Sequence, residues 1–191
     1  VQALADQHIT PERGEILVTG ASGGVGSVAI TLLNKLGYRV AAVTGRPEQN
    51  GDLLRSLGAT RIIERAELAQ PAKPLESTRW AGAVDTVGSQ ILAKVLAQTE
   101  YDGAVAACGL AGGMDLPTTV MPFILRNVKL IGVDSVYCPY EKRVAAWQKV
   151  AELLPESYYA AASNEIALEA VPEAAAQIIR GEITGRTLVK L

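Results

Sequence analysis

The stretch VTGASGGVG, Val18 to Gly26, decides how the rest of the chain is read. An apolar run, Glu15–Thr19 (EILVT), leads into it, and a run with helical spacing, Val25–Leu36, leads out of it. This is the strand, turn and helix setting in which a glycine fingerprint holds a dinucleotide pyrophosphate. Gly23 and Gly26 take the second and third glycine positions of G-x-G-x-x-G, and Ala21 stands in the first. Gly23 lets the backbone approach the pyrophosphate, and Gly26 lets the helix pack against the strand. The N–H groups of Gly24, Val25 and Gly26 then face phosphate oxygens, helped by the helix dipole. The plainer reading is a tight turn with no ligand, and the strand and helix repeats around it weigh against that.

Working outward, short β-branched or apolar runs alternate with helical ones. Arg39–Thr44, Arg61–Glu64, Ala83–Val87, Ala104–Cys108 and Lys129–Val133 read as five further strands. Leu53–Leu57, Ile91–Thr99 and Pro122–Arg126 carry helical apolar spacing, and Gly37, Gly58, Gly88 and Gly109 punctuate element ends. The expected fold class is α/β: a Rossmann-type, doubly wound, parallel sheet of six strands. After Val133 the pattern changes. Tyr140–Leu154 reads as an amphipathic helix, Pro155–Ser163 as a loop, Glu165–Leu168 as a short apolar stretch, Val171–Arg180 as a helix and Thr184–Leu191 as a last strand. The division expected is a dinucleotide-binding domain over 1–138, with 139–191 completing it and returning to a second domain. Val1–Asp6 reads as the end of a helix begun upstream, as if the chain were cut from a longer two-domain protein.

Composition narrows the chemistry. The net charge of −2 argues against a nucleic-acid partner or an anionic membrane surface. The chain has one histidine, His8, and two cysteines, Cys108 and Cys138. That is too few for a structural zinc site or a disulfide scaffold, so no metal is expected and the cytoplasm is the expected compartment. No run approaches the roughly 20 apolar residues that span a bilayer. The glycine string also satisfies T-G-x-x-x-G-x-G through Thr19, Gly20, Gly24 and Gly26, the mark of short-chain dehydrogenases. Those enzymes work with a Tyr-x-x-x-Lys pair, and no tyrosine here has a lysine four positions on.

The second strand points to the cofactor. An NAD enzyme usually places Asp or Glu there to hold the ribose 2′-hydroxyl. Here the strand ends Thr44-Gly45-Arg46, and Arg46 stands 20 positions after Gly26. A guanidinium suits a 2′-phosphate, and Thr44 adds a hydroxyl, so NADPH is expected over NADH. Arg65, just past the third strand, is a second candidate for the phosphate end. Either arginine read blandly is a solvated loop residue. His8 reads as a surface residue, Cys108 as a small buried apolar one, and Asp85 as a strand-end cap of backbone N–H groups.

Several further strings carry a family resemblance: DTVG at Asp85–Gly88, VAACGLAGG at Val105–Gly113, LPTTVMPFILRNVKLIGVDSV at Leu116–Val136 and GRTLVKL at Gly185–Leu191. With the glycine turn they resemble the zinc-free YhdH/AcuI branch of the medium-chain dehydrogenases and reductases, along the whole chain. This branch groups NADPH-dependent acryloyl-CoA reductases, earlier labelled quinone oxidoreductases. The resemblance implies that Ser22, Gly23, Gly24 and Val25 contact the cofactor phosphates. It puts Thr44, Gly45 and Arg46 at the adenosine 2′-phosphate, with Arg65 nearby. It brings Cys108, Leu110, Ile124 and Ser135 toward the nicotinamide half. It implies a GroES-like catalytic domain ahead of this sequence in full-length relatives, and a homodimer formed through the sixth strand. The implied reaction is hydride delivery to the β-carbon of an α,β-unsaturated thioester, acryloyl-CoA, with charge building on the thioester oxygen before the α-carbon is protonated. No acid in this chain is assigned to that step. The rival readings are an NADPH:quinone reductase, a non-catalytic nucleotide-binding or redox-sensing module, and an inert fragment.

Overall fold

The computed structural model describes every residue from Val1 to Leu191. A short helix α1 (Gln2–Ala5) precedes β1 (Glu15–Val18), and the glycine turn leads into α2 (Gly24–Lys35). Then follow β2 (Arg39–Thr44), α3 (Pro47–Ser56), β3 (Arg61–Glu64), α4 (Arg65–Leu68), β4 (Trp80–Asp85), α5 (Ser89–Gln98), β5 (Thr99–Ala107), α6 (Met121–Arg126) and β6 (Lys129–Gly132). These six strands form one sheet in the order β3-β2-β1-β4-β5-β6, with every neighbouring pair parallel. Parallel neighbours need long crossovers, which the helices supply on both faces. The expected Rossmann-type architecture is therefore present.

Alternate strand residues feed two separate cores, as the two-residue period of a strand requires. Ile16, Val18, Val40, Ala42, Ala104 and Ala106 join Ile30 and Leu33 of α2 and Leu54 of α3 on one face. Leu17, Ala41, Val43, Ala83 and Val105 join Ile91, Leu92, Val95 and Leu96 of α5 on the other. Burial on both faces explains why the strands read as continuous apolar runs rather than alternating ones.

Several boundaries differ from the sequence reading. β4 and β5 begin earlier, at Trp80 and Thr99, because their first residues are held by ladder hydrogen bonds rather than by an apolar pattern. The pairing shifts register between Trp80 and Gly82, opposite a β5 segment where Asp102 has φ +57°. β1, β4, β5 and β6 each stop short of the expected end, at Val18, Asp85, Ala107 and Gly132. α3 starts at Pro47, six residues before the expected Leu53, with the proline at a first-turn position where its missing N–H costs nothing.

The expected loop Pro155–Ser163 contains a helix, α8 (Glu156–Ala162), after α7 (Tyr140–Leu153). Pro155 stands at the N-cap, Glu156 lies in the first turn, and Tyr158 docks on α2. Packing of this kind, rather than propensity, holds a seven-residue helix together. The chain ends with β7 (Ser163–Ala167), α9 (Val171–Ile179) and β8 (Arg186–Lys190). β7 and β8 pair in parallel as a small sheet of their own.

Candidate functional site

In a parallel sheet the carboxyl ends of all strands share one rim, and ligands of this fold class bind there. The structure brings the expected site residues to that rim, apart from Ile124, which lies on the crossover helix α6. Ser22 to Gly26 follow β1, and Thr44 to Arg46 end and follow β2. Arg65 follows β3, Cys108 and Leu110 follow β5, Ser135 follows β6, and Ile124 lies on α6. Between β1 and β4 the strand order reverses, which opens the crevice.

The glycine turn is fixed from both sides. The Ala21 N–H donates to the Val43 carbonyl at 3.1 Å, and the Gly23 N–H donates to the Gly20 carbonyl at 3.0 Å. Gly20 has φ +57°, where a side chain would also run into the Thr86 hydroxyl. A Cβ on Gly26 would lie 2.7 Å from Ala21 Cα and closer still to the Gly20 carbonyl, so only glycine fits the helix against the turn. No side chain caps α2. Its first N–H groups therefore have no intrahelical acceptor and face the rim at the positive end of the helix dipole.

Three guanidinium groups converge near this turn. Arg46, at the end of β2, donates from Nη1 to the Glu182 carbonyl at 2.6 Å and from Nη2 to the Ile183 carbonyl at 3.2 Å and the Thr184 hydroxyl at 3.3 Å. Arg65 lies across Gly45, its guanidinium carbon 2.9 Å from where a Gly45 Cβ would stand. Arg186, the first residue of β8, lies across Gly24 at the same separation. No carboxylate pairs with any of the three. Arg186 was not among the residues expected from sequence. It is brought here because the Gly185 N–H donates to the Ser22 carbonyl at 2.7 Å, an approach that local sequence does not reveal. Tyr158 was also missed. Its hydroxyl shares a buried hydrogen bond with Ser27 at 2.9 Å, inside the first turns of α2.

The side expected to face the nicotinamide is apolar and open. Leu110, just past β5, and Ile124, on α6, are 64% and 71% exposed. Cys108 is exposed rather than buried, a correction to the packing role expected of it. β5 ends one residue before it, so its backbone leaves the sheet there and its thiol donates only weakly to the Asp85 carbonyl at 3.4 Å. Partial desolvation and the nearby Asp85 charge push that thiol above its ordinary pKa, so it is not an activated thiolate. Asp85 does cap backbone N–H groups. It is fully buried, with Oδ1 accepting from the Thr19 hydroxyl at 2.6 Å and Oδ2 from the Gly88 N–H at 2.8 Å. Burial raises its carboxyl above the usual aspartate value, against the lowering effect of the donors from Thr19, Gly88 and Val87. It clamps the β1 and β4 ends together beneath the crevice. His8 is exposed.

This arrangement, a six-stranded doubly wound sheet with a glycine turn and arginines at its carboxyl rim, is that of a dinucleotide-binding domain. A family of zinc-binding dehydrogenases matches residues 24–155, and the chain belongs to it. The acrylyl-CoA reductase AcuI of Ruegeria pomeroyi is 52% identical over 190 residues, covering 99% of this chain and 57% of that protein. The yhdH oxidoreductase of Salmonella enterica, solved in complex with NADP, superposes with a TM-score of 0.96 at 59% identity, over 100% of this chain and 58% of that one. The yhfP protein of Bacillus subtilis, solved with NAD bound, does so at 0.92 and 44% identity, with the same coverage. The chain thus spans under three-fifths of the length of these relatives.

The family's description includes zinc, and the donors present here do not fit that metal. His8, Cys108 and Cys138 lie apart, and no group of three or more His, Cys, Asp or Glu side chains gathers. A dinucleotide fits better, since the glycine cradle excludes a Cβ at Gly26 and leaves uncapped N–H groups beside unpaired guanidinium groups.

Proposed function

We propose that this chain is the NADPH-binding part of an oxidoreductase that reduces the activated C=C bond of an α,β-unsaturated thioester, acryloyl-CoA to propionyl-CoA. The observation that carries the cofactor half is the rim itself. Arg46, Arg65 and Arg186 surround the glycine turn, and no acidic side chain ends β2. The acceptor half rests on the likeness to AcuI of Ruegeria pomeroyi.

Each part of the rim then has a task. The N–H groups of Gly24, Val25 and Gly26, with Arg186, hold the pyrophosphate. Thr44, Gly45, Arg46 and Arg65 hold the adenosine 2′-phosphate, with Ser22 and Gly23 beside the ribose and phosphate chain. Cys108, Leu110, Ile124 and Ser135 flank the nicotinamide, where their exposed apolar surface excludes water once a further domain covers it. Bound NADPH supplies the hydride. The protein orients it and must offer a hydrogen-bond donor to the thioester oxygen as charge develops there. We assign no such donor within residues 1–191. Residues 1–138 form the dinucleotide-binding domain, and 139–191 complete its rim and lead toward a GroES-like domain.

The edge strand β6 leaves its ladder unpaired on one side, and we propose that it joins a second copy there in a homodimer. A monomeric mass in light scattering would count against this. The free thiols of Cys108 and Cys138 suit a reducing, cytoplasmic setting. No helix is long and apolar enough to cross a membrane.

The test is NADPH oxidation by the full reading frame that carries this sequence, on adding acryloyl-CoA, with a quinone as the paired acceptor. Turnover with the thioester and little with the quinone is expected. Turnover with the quinone alone would instead support a quinone reductase, the name carried by the Bacillus subtilis relative, 45% identical over 193 residues. No turnover with either would leave a nucleotide-binding module.

A further inference from the structure

Arg46 does not stand alone at the end of β2. Its Nη2 donates to the Thr184 hydroxyl at 3.3 Å, and that hydroxyl donates in turn to Asn50 Oδ1 at 3.0 Å. A guanidinium has no acceptor, so the direction of this chain is set: Thr184 accepts from Arg46 and passes its one proton to Asn50. The Asn50 carbonyl oxygen is thereby committed, and its Nδ2 is left as a donor. Asn50 is only 2% exposed, and Nδ2 is the one buried side-chain nitrogen or oxygen in the chain without a hydrogen-bond partner. Unpaired buried donors are uncommon, and one sitting two bonds from an arginine at the 2′-phosphate end calls for an explanation.

We infer that Asn50, acting with Thr184, is a specificity-determining residue for the adenosine 2′-phosphate: its amide pins Arg46 through the Thr184 hydroxyl without adding a carboxylate beside it. This rests on the reading that Thr44 to Arg46 take the 2′-phosphate. The Nη groups of Arg46 lean on Gln49, Glu182, Ile183 and Thr184, and all but the Glu182 contact are long enough, at 3.2–3.3 Å, to yield to a phosphate oxygen. Its charge is therefore held in place before the cofactor arrives, and little side-chain freedom is lost on binding. A carboxylate at position 50 has the same shape. It would still accept from Thr184, but its second oxygen would put a negative charge where the donor now is. That charge opposes a dianionic phosphate and leaves a 2′-hydroxyl cofactor nearly unaffected.

The experiment titrates the chain with NADPH and, separately, with NADH, following binding by fluorescence in wild type, Asn50→Asp, Thr184→Val and Thr184→Ser, with a melting curve for each. No acceptor is needed, so the outcome does not depend on the substrate reading. Asn50→Asp is expected to weaken NADPH by about tenfold, roughly the repulsion between like charges several ångströms apart near a protein surface, and to leave NADH within about twofold. Thr184→Val should weaken NADPH several-fold, and Thr184→Ser, which keeps the hydroxyl, should restore it. Equal losses for both cofactors, or an unchanged NADPH-to-NADH ratio, would overturn the inference and leave Asn50 a structural residue. If wild type shows no preference for NADPH, the reading of the 2′-phosphate site fails and takes this inference with it. Should the Asn50 variant not fold, the Val and Ser pair at Thr184 decides the matter.

Discussion

Residues before and after position 138 are held together by different forces. In the first part, alternate strand positions fill two apolar cores, and side chains such as Ile16, Leu17, Val18 and Val40 are fully buried. In the second part only Tyr158 and Ala162 are buried, and α7 and α9 bury nothing. Beyond the packing of Tyr158, Ala162 and Leu154 on the first core, the second part is fastened by polar contacts: Gly185 on Ser22 and Arg46 on Glu182 to Thr184 at the rim, and Tyr158 on the buried Ser27. The sheet thus draws its stability from apolar area, which needs no ligand. The C-terminal arm is ordered by the same groups that would meet a dinucleotide.

Hydrogen exchange offers the largest test of that contrast. Amides of β1, β2, β4 and β5 should exchange only through global unfolding, and those of α7 and α9 through local opening, slower in the sheet by about a thousandfold or more. Saturating NADPH should protect the arm and leave the sheet little changed. Uniform exchange across the chain would end the comparison.

Next in size is Gly26→Val. Its side chain has no room against Ala21 and the Gly20 carbonyl, so the helix must shift off the turn. Overpacking of this kind costs about 1–3 kcal/mol, and NADPH binding should fall by more than a hundredfold because the N–H groups move with the helix. Retained binding in a calorimetric titration would show that the glycine turn is not the pyrophosphate site.

Tyr158→Phe comes after it. It removes the hydroxyl from Ser27 and should cost about 1 kcal/mol, read as faster exchange confined to residues 139–191. Faster exchange in the sheet as well would mean that the two regions are less separable than their burial indicates. Arg186→Ala should weaken NADPH and NADH alike by about tenfold, because both carry the pyrophosphate.

Where apolar pattern makes the structure, the pattern was visible: β2 and β3 fall within the stretches expected, and the glycine turn sits where its context required. Where polar or long-range contacts make the structure, it was not. α8 looked like a loop because two tyrosines and serines mask a helix whose order comes from docking on Ser27. Arg186 carries no local mark of a binding residue, since it reaches Gly24 only after 161 intervening residues fold back, and Thr184 and Asn50, 134 positions apart, carry none either. The rim residues around β2 were legible because fingerprint and strand end lie close in sequence.

The smallest effect tests the sheet half alone. Glu76, in the segment before β4, is mostly buried, and burial by itself would raise its carboxyl. The Lys94 ammonium at 2.7 Å, the Lys73 N–H and the Gln98 amide outweigh that and hold it below the usual glutamate value. A carboxyl lowered on folding contributes stability that is present above its unfolded pKa and lost as pH falls through the folded one. Glu76→Gln should therefore destabilise the chain by about 1 kcal/mol near neutral pH and make no difference once the wild-type carboxyl is protonated, so that the two melting curves converge on acidification. Because Arg126 of α6 also donates to the Glu76 carbonyl at 2.6 Å, and to that of Ala97 at 2.8 Å, this acid step should open the α5 and α6 corner of the sheet. It should leave NADPH affinity little changed, because the groups assigned to the pyrophosphate and the 2′-phosphate lie after β1, β2 and β3 and on β8 rather than on α6. A matching fall in cofactor affinity with pH, present in wild type and absent in Glu76→Gln, would show that the sheet and the rim are coupled after all.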